Sequence, residues 1–295
     1  MTGATTTTAA PDARAQSSPW RAWVVELFAA SNLGFLAFDV FLAHLANRFE
    51  HWSEWVPVLF SALAPLLLLP GLIRRRLGSR WARTAGLITG TGAIVVGVSG
   101  LVLHLQGSFF VLHTLKSLVY TAPFIAPLSY VGVGLLLVLN RLEASNSEAY
   151  SLWVTFLALG GFIGNFGLSL ADHAVNGFFH WAEWIPVVAA AFGSSLLLFV
   201  CLKPHDRPLL VVAALFMALE IVVGGLGFVL HGLSIPSSAW LRPEVLTYRA
   251  PPFAPLLFAD LGVLALVGLH GLAAAQGSSA LSWQAVLRRS RTAGG

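Results

Sequence analysis

Stretches of about 20 apolar, almost uncharged residues recur along this chain, each long enough to cross roughly 30 Å of hydrocarbon as a helix. They fall at about 20–45, 56–73, 84–104, 118–139, 150–172, 185–202, 209–231 and 250–272. A segment in lipid must satisfy its backbone hydrogen bonds within itself, which a helix does. The spacing therefore predicts an all-α polytopic membrane protein with eight transmembrane helices. Only 10% of the 295 residues are charged, against about a quarter in soluble domains.

The placement of Lys and Arg sets the expected orientation. Arg74, Arg75, Arg76, Arg80 and Arg83 follow the second span, Lys203 and Arg207 follow the sixth, and Arg288, Arg289 and Arg291 follow the eighth. Arg14, Arg21 and Arg141 fall on the same side, whereas the opposite loops hold only Arg48, Lys116, Arg242 and Arg249. The bias predicts a multi-pass protein of the cell membrane with both termini cytoplasmic. Basic residues confined to short loops between apolar spans do not form the patch that nucleic acid requires. Residues 1–19 are polar and Thr/Ala-rich, without the basic-then-apolar order of a cleaved leader. They are expected to be a disordered cytoplasmic tail, and 273–295 a basic cytoplasmic tail.

The chain repeats itself. His51-Trp-Ser-Glu-Trp-Val-Pro57 returns as His180-Trp-Ala-Glu-Trp-Ile-Pro186, Val95–His104 returns as Val222–His231, and Ala122–Leu128 returns as Ala250–Leu256. The offsets are 129, 127 and 128, in the same order along the chain. Two four-helix membrane repeats follow, 20–141 and 150–272. Because each holds an even number of spans, the repeats are parallel, related by an axis along the membrane normal. Gly97, Gly100, Gly224 and Gly227 on the third and seventh spans predict close helix packing, expected at the centre between the halves. The Ala-Pro pattern of the fourth and eighth spans predicts a kink near their outer ends.

The repeat carries a cluster. His44 ends the first span, His51 and Glu54 follow in the loop, and His104 ends the third span; His173, His180, Glu183 and His231 are their counterparts. Imidazole and carboxylate suit Fe, Zn, Mn or Cu(II), so these eight residues are the candidate metal ligands. In a b-type haem alternative, His44 pairs with His104, and His173 with His231. Asp39 and Asp172 lie one helical turn apart in the repeat register and are expected to hold ligating imidazoles from behind. Trp52, Trp55, Trp181 and Trp184 are expected to form an interfacial belt. The one cysteine, Cys201, excludes an internal disulfide, and no CxxCH occurs for covalent haem. With Met1 and Met217 as the only thioethers, a Cu(I) carrier is disfavoured.

Three functions follow from this reading. The first is a membrane metal-binding protein, a redox enzyme acting on a lipid-soluble substrate such as a quinol. The second is a transporter of a cation or small solute, to which the intramembrane acids Glu220 and Asp260 would contribute. The third is an accessory or assembly subunit docking a membrane-complex partner through its outer turns.

Overall fold

The computed structural model describes residues 19–46, 48–107, 109–120, 125–175, 177–240, 242, 245–246 and 251–292. The expected N-terminal tail, up to residue 18, lies outside the described residues. All regular structure among them is helical. The helices are α1 (Pro19–Ala46), α2 (Trp55–Ile73), α3 (Arg80–His104), α4 (Phe109–Leu112), α5 (Leu115–Tyr120), α6 (Leu128–Leu142), α7 (Glu148–Val175), α8 (Trp184–Leu202), α9 (Arg207–Ser234) and α10 (Leu256–Thr292). Short 3-10 turns at Trp52–Glu54 and Trp181–Glu183 lead into α2 and α8.

Seven of these helices are long and apolar enough to cross a membrane. Their large apolar side chains point outward as well as inward: Leu63, Leu66, Val95, Phe192, Leu215 and Val222 are all exposed. Water would not tolerate such a surface, whereas lipid is its natural solvent. The chain is a polytopic helical membrane protein.

Polar residues mark where helices begin. The Ser79 hydroxyl accepts a hydrogen bond from the Ala82 amide at the start of α3, and the Asp206 carboxylate accepts one from Leu209 at the start of α9, where Pro208 needs no donor. The helices then close two rings. α1 packs on α2, α2 on α3, α3 on α6 and α6 on α1; α7 packs on α8, α8 on α9, α9 on α10 and α10 on α7. The rings meet where α5 and α6 touch α7, and where α1 touches α10.

Three sequence expectations change here. The fourth span, expected over 118–139, is divided: α5 ends at Tyr120 and α6 begins only at Leu128. α6 has 15 residues, about 22 Å of helix, short of a full crossing by itself. Pro127 stands immediately before α6 and Pro255 immediately before α10, so each proline pattern delays its helix rather than bending it. The glycines also pack elsewhere than expected. A Cβ on Gly97 would lie 2.7 Å from the Pro127 carbonyl oxygen, and one on Gly224 2.8 Å from that of Pro255. Those faces receive the proline turns of α6 and α10 within each ring. α3 and α9 do not form the contact between halves, because the bare glycine backbones are already covered.

The seam between the rings is polar near the start of α1. Buried Arg21 of α1 donates to the Ser151 hydroxyl at 3.0 Å and to the Ser145 carbonyl. Glu26 is ion-paired with Arg141 and accepts from Asn140 at 3.0 Å. The Tyr150 hydroxyl donates to the Asn140 side-chain oxygen at 2.9 Å. Midway along α1, the Asn32 amide donates to Asp260 of α10 at 2.8 Å.

Candidate functional site

The site is built where α1 and α7 end. The Phe49 amide donates to the His44 carbonyl at 3.0 Å and the Arg48 amide to Leu45 at 2.9 Å; Phe178 and Gly177 donate to His173 and Ala174 at 3.1 and 3.0 Å. These paired bonds are the Schellman termination of a helix, which needs its first residue beyond the cap in the left-handed region. Arg48 takes φ 63° there, and Gly177 φ 73°. The next residue is also left-handed in both turns, Phe49 at φ 49° and Phe178 at φ 51°.

The turn throws each phenylalanine back across the helix end. Phe49 stacks on Trp55 with ring centroids 4.1 Å apart, and Phe178 on Trp184 at 4.0 Å. The same phenylalanines lie 6.0 Å from the His44 ring and 6.1 Å from the His173 ring. The four tryptophans thus separate into two kinds. Trp52 and Trp181 are 82% and 73% exposed, as a belt residue would be, while Trp55 and Trp184 are clamped by the stack. Phe49 and Phe178 escaped the sequence reading, although they recur at the 129 offset two residues upstream of the His-Trp string.

Each turn brings three of the four candidate groups into one neighbourhood. In the second half, His173 Nδ1 is 3.8 Å from Glu183 Oε2, and the His173 and His231 ring centroids are 6.4 Å apart with their planes 83° from parallel. In the first half, Glu54 and His104 are the groups in electrostatic reach of His44. His173 and Glu183 are partly shielded, at 18% and 24% exposure. One carboxylate oxygen of each glutamate, Oε2 of Glu54 and of Glu183, is buried without a hydrogen-bond partner. Buried acceptors are ordinarily satisfied, so the same orphan in both halves calls for a cause.

Two imidazoles are already oriented from behind. His44 Nδ1 lies 3.0 Å from the Val40 carbonyl and His231 Nδ1 2.9 Å from that of Pro251. A carbonyl can only accept, so Nδ1 carries a proton, and Nε2 is the nitrogen of each ring that could ligate. At these two rings a backbone carbonyl stands where an aspartate was expected, while His173 Nδ1 faces Glu183. No hydrogen bond joins either aspartate to an imidazole among the described residues; Asp39 stands in electrostatic reach of Tyr130, whose hydroxyl bonds Ser61 at 2.7 Å.

His51 and His180 sit apart from the trios, at exposed positions capping the 3-10 turns. The Glu54 carboxylate accepts from the His51 backbone amide at 3.2 Å, and His180 Nδ1 accepts from the Ala182 amide at 3.2 Å. Among the described residues, no group of three or more His, Cys, Asp and Glu side chains stands arranged to hold a metal ion. What the arrangement offers is two imidazoles and a carboxylate per half, at the rim where the helices end. Comparison with known protein families, with curated proteins and with solved structures finds no match.

Proposed function

We propose that this chain is a metal-binding membrane protein with one site in each of two tandem four-helix units. In this reading α6 and its proline lead-in complete an eighth crossing, and both termini lie on the cytoplasmic side of the cell membrane. A transition-metal ion (Fe, Zn, Mn or Cu) is held at the outer rim by His44, Glu54 and His104, and a second by His173, Glu183 and His231. His51 and His180 stand at the mouth of each site, and Asp39 and Asp172 lie below it.

The observation that carries the reading is the duplicated carboxylate: twice, a glutamate leaves one buried oxygen without a hydrogen bond near the histidine that ends α1 or α7. The 3.8 Å between His173 and Glu183 is near the span of two ligands on one ion, and small side-chain rotations would bring the third group to it. The carbonyls behind His44 and His231 fix the tautomer that ligates through Nε2. A redox ion at this depth would meet the headgroup of a quinol held in the lipid. Such an ion, when bound, would supply one-electron chemistry, and the trio of side chains would position it beside that headgroup.

One observation favours b-type haem as a second reading. The 6.4 Å between nearly perpendicular His173 and His231 rings is close to the roughly 6 Å that separates two imidazoles bound on opposite sides of one metal. The glutamate beside the pair favours a non-haem ion. Elemental analysis and an optical spectrum of detergent-purified protein test both. Metal at two ions per chain, lost on His104→Ala with His231→Ala, supports the proposal, and a Soret band moves it to haem. Colourless protein that binds no metal overturns it.

A further inference from the structure

The mid-membrane core of the second ring contains a carboxyl group that nothing in the rim site uses. Glu220, near the middle of α9, is 0% exposed, and neither of its carboxyl oxygens has a hydrogen-bond partner. It lies about 16 Å below His231 along the same helix. Its surroundings are apolar. A Cβ added to Gly193 of α8 would meet Glu220 Oε1 at 3.0 Å, Met217 at 3.4 Å and Phe162 of α7 at 3.5 Å. An ionised carboxylate without a partner is among the costliest groups to place in such a core, so acids there mark ion or proton pathways.

The repeat register shows how the group came to fit. Phe162, Gly193 and Glu220 correspond to Leu33, Ala64 and Ala93, which are buried and apolar in the first ring. The Ala-to-Gly difference on α8 opens the space that the Ala-to-Glu difference on α9 occupies. A second set of differences runs outward along α7. Asn165, Ser169 and Asp172 occupy one face between Phe162 and the rim, where the first ring has Leu36, Val40 and Ala43. Asn165 is buried, and its Nδ2 has no hydrogen-bond partner. The polar face thus begins one turn above Phe162 and ends beside His173.

We propose that Glu220 is a proton-binding site in the membrane core, filled from the outer rim along the Asn165–Ser169–Asp172 face of α7. The ligand is the proton itself. The site is peculiar to the second ring, so the two halves, alike at the rim, differ in function below it. Other titratable groups on α8 and α10, which pack against α9, and on α7, whose Phe162 meets Glu220 at Gly193, are Glu148, Tyr150, Asp172 and His173 on α7, Cys201 on α8, and Asp260, His270, Arg288, Arg289 and Arg291 on α10. Asp260 is held by Asn32 of α1, Tyr150 by Asn140 of α6, and His270 lies against Trp20.

Infrared spectroscopy of the full chain in lipid nanodiscs at neutral pH tests this without any metal in the readout. The carbonyl stretch of a protonated carboxyl is expected to lose one component in Glu220→Gln. The double variant Gly193→Ala, Glu220→Ala, which restores the packing of the first ring, is expected to lose the same component while folding as the parent does. If either folded variant instead removes only an ionised carboxylate band, the proton site is overturned. Replacing Asn165, Ser169 and Asp172 by the Leu, Val and Ala of the first ring is expected to slow deuterium exchange of that band several-fold. An unchanged exchange rate would overturn the outer route.

Discussion

Arg48 and Gly177 occupy the same place in the turns that end α1 and α7, and both are left-handed. Glycine adopts that conformation without steric cost and arginine does not. Arg48→Gly is therefore expected to stabilise the protein by up to about 1 kcal/mol, and Gly177→Arg to destabilise it by a similar amount; thermal unfolding in detergent would read both. At the following position phenylalanine is kept in the left-handed region twice, at a cost of roughly 1–3 kcal/mol each. The stack on Trp55 or Trp184 offsets that cost and holds the turn above the histidines. Phe178→Ala is expected to lower the melting temperature and also to weaken metal binding in the second half, with Phe179→Ala, which is exposed, as the control. Equal metal affinity in Phe178→Ala and its parent would separate the turn from the site. At this scale the sequence showed the His, Glu and Trp positions plainly. It hid the turn, because a left-handed phenylalanine has no compositional signature and shows only in the register of the repeat.

Between elements, the close crossings are set by small residues meeting backbone. Gly224 and Gly225 are neighbours with opposite surroundings. A Cβ on Gly224 would lie 2.6 Å from the Ala259 amide nitrogen of α10, whereas one on Gly225 meets nothing within 4 Å. Gly224→Ala is expected to push α9 and α10 apart and to cost about 1–3 kcal/mol. Gly225→Ala should be neutral or stabilising by about 0.5–1 kcal/mol through helix propensity alone. Melting curves of the two variants provide the comparison, and equal effects would contradict the packing described. The long spans were legible because lipid imposes length and apolarity on any helix that crosses it. The division of the fourth was not legible, because hydropathy is blind to the donors that the prolines at 123 and 127 lack and to the helix they disfavour before them. The glycine stripes were visible in the sequence but not their partners: small residues state that something approaches closely, not which helix does so.

For the whole molecule, two rings of four principal helices are joined by a seam with polar links near the start of α1 and midway along it. Glu26 and Arg141 are both buried and paired, and Asn140 ties the pair to Tyr150 of the second ring. Removing one partner leaves a buried charge unmatched, so Glu26→Ala is expected to cost about 3–5 kcal/mol. Glu26→Leu combined with Arg141→Leu should recover part of the loss, and limited proteolysis of the loop between α6 and α7 would report a loosened seam in the single variant. Arg21 and Arg141 both stand at this end of the seam, and the geometry pairs Glu26 with Arg141. The rim trios lie at the other end of the same helices, so binding there should survive a loosened seam.

Titration of metal-stripped protein with Zn(II), followed by calorimetry in detergent, addresses the rim sites most directly. Two ions are expected per chain in the parent, one in His44→Ala, one in His173→Ala and none in the double variant. Binding that is absent in the parent, or present and untouched by both substitutions, would contradict a metal site in each half.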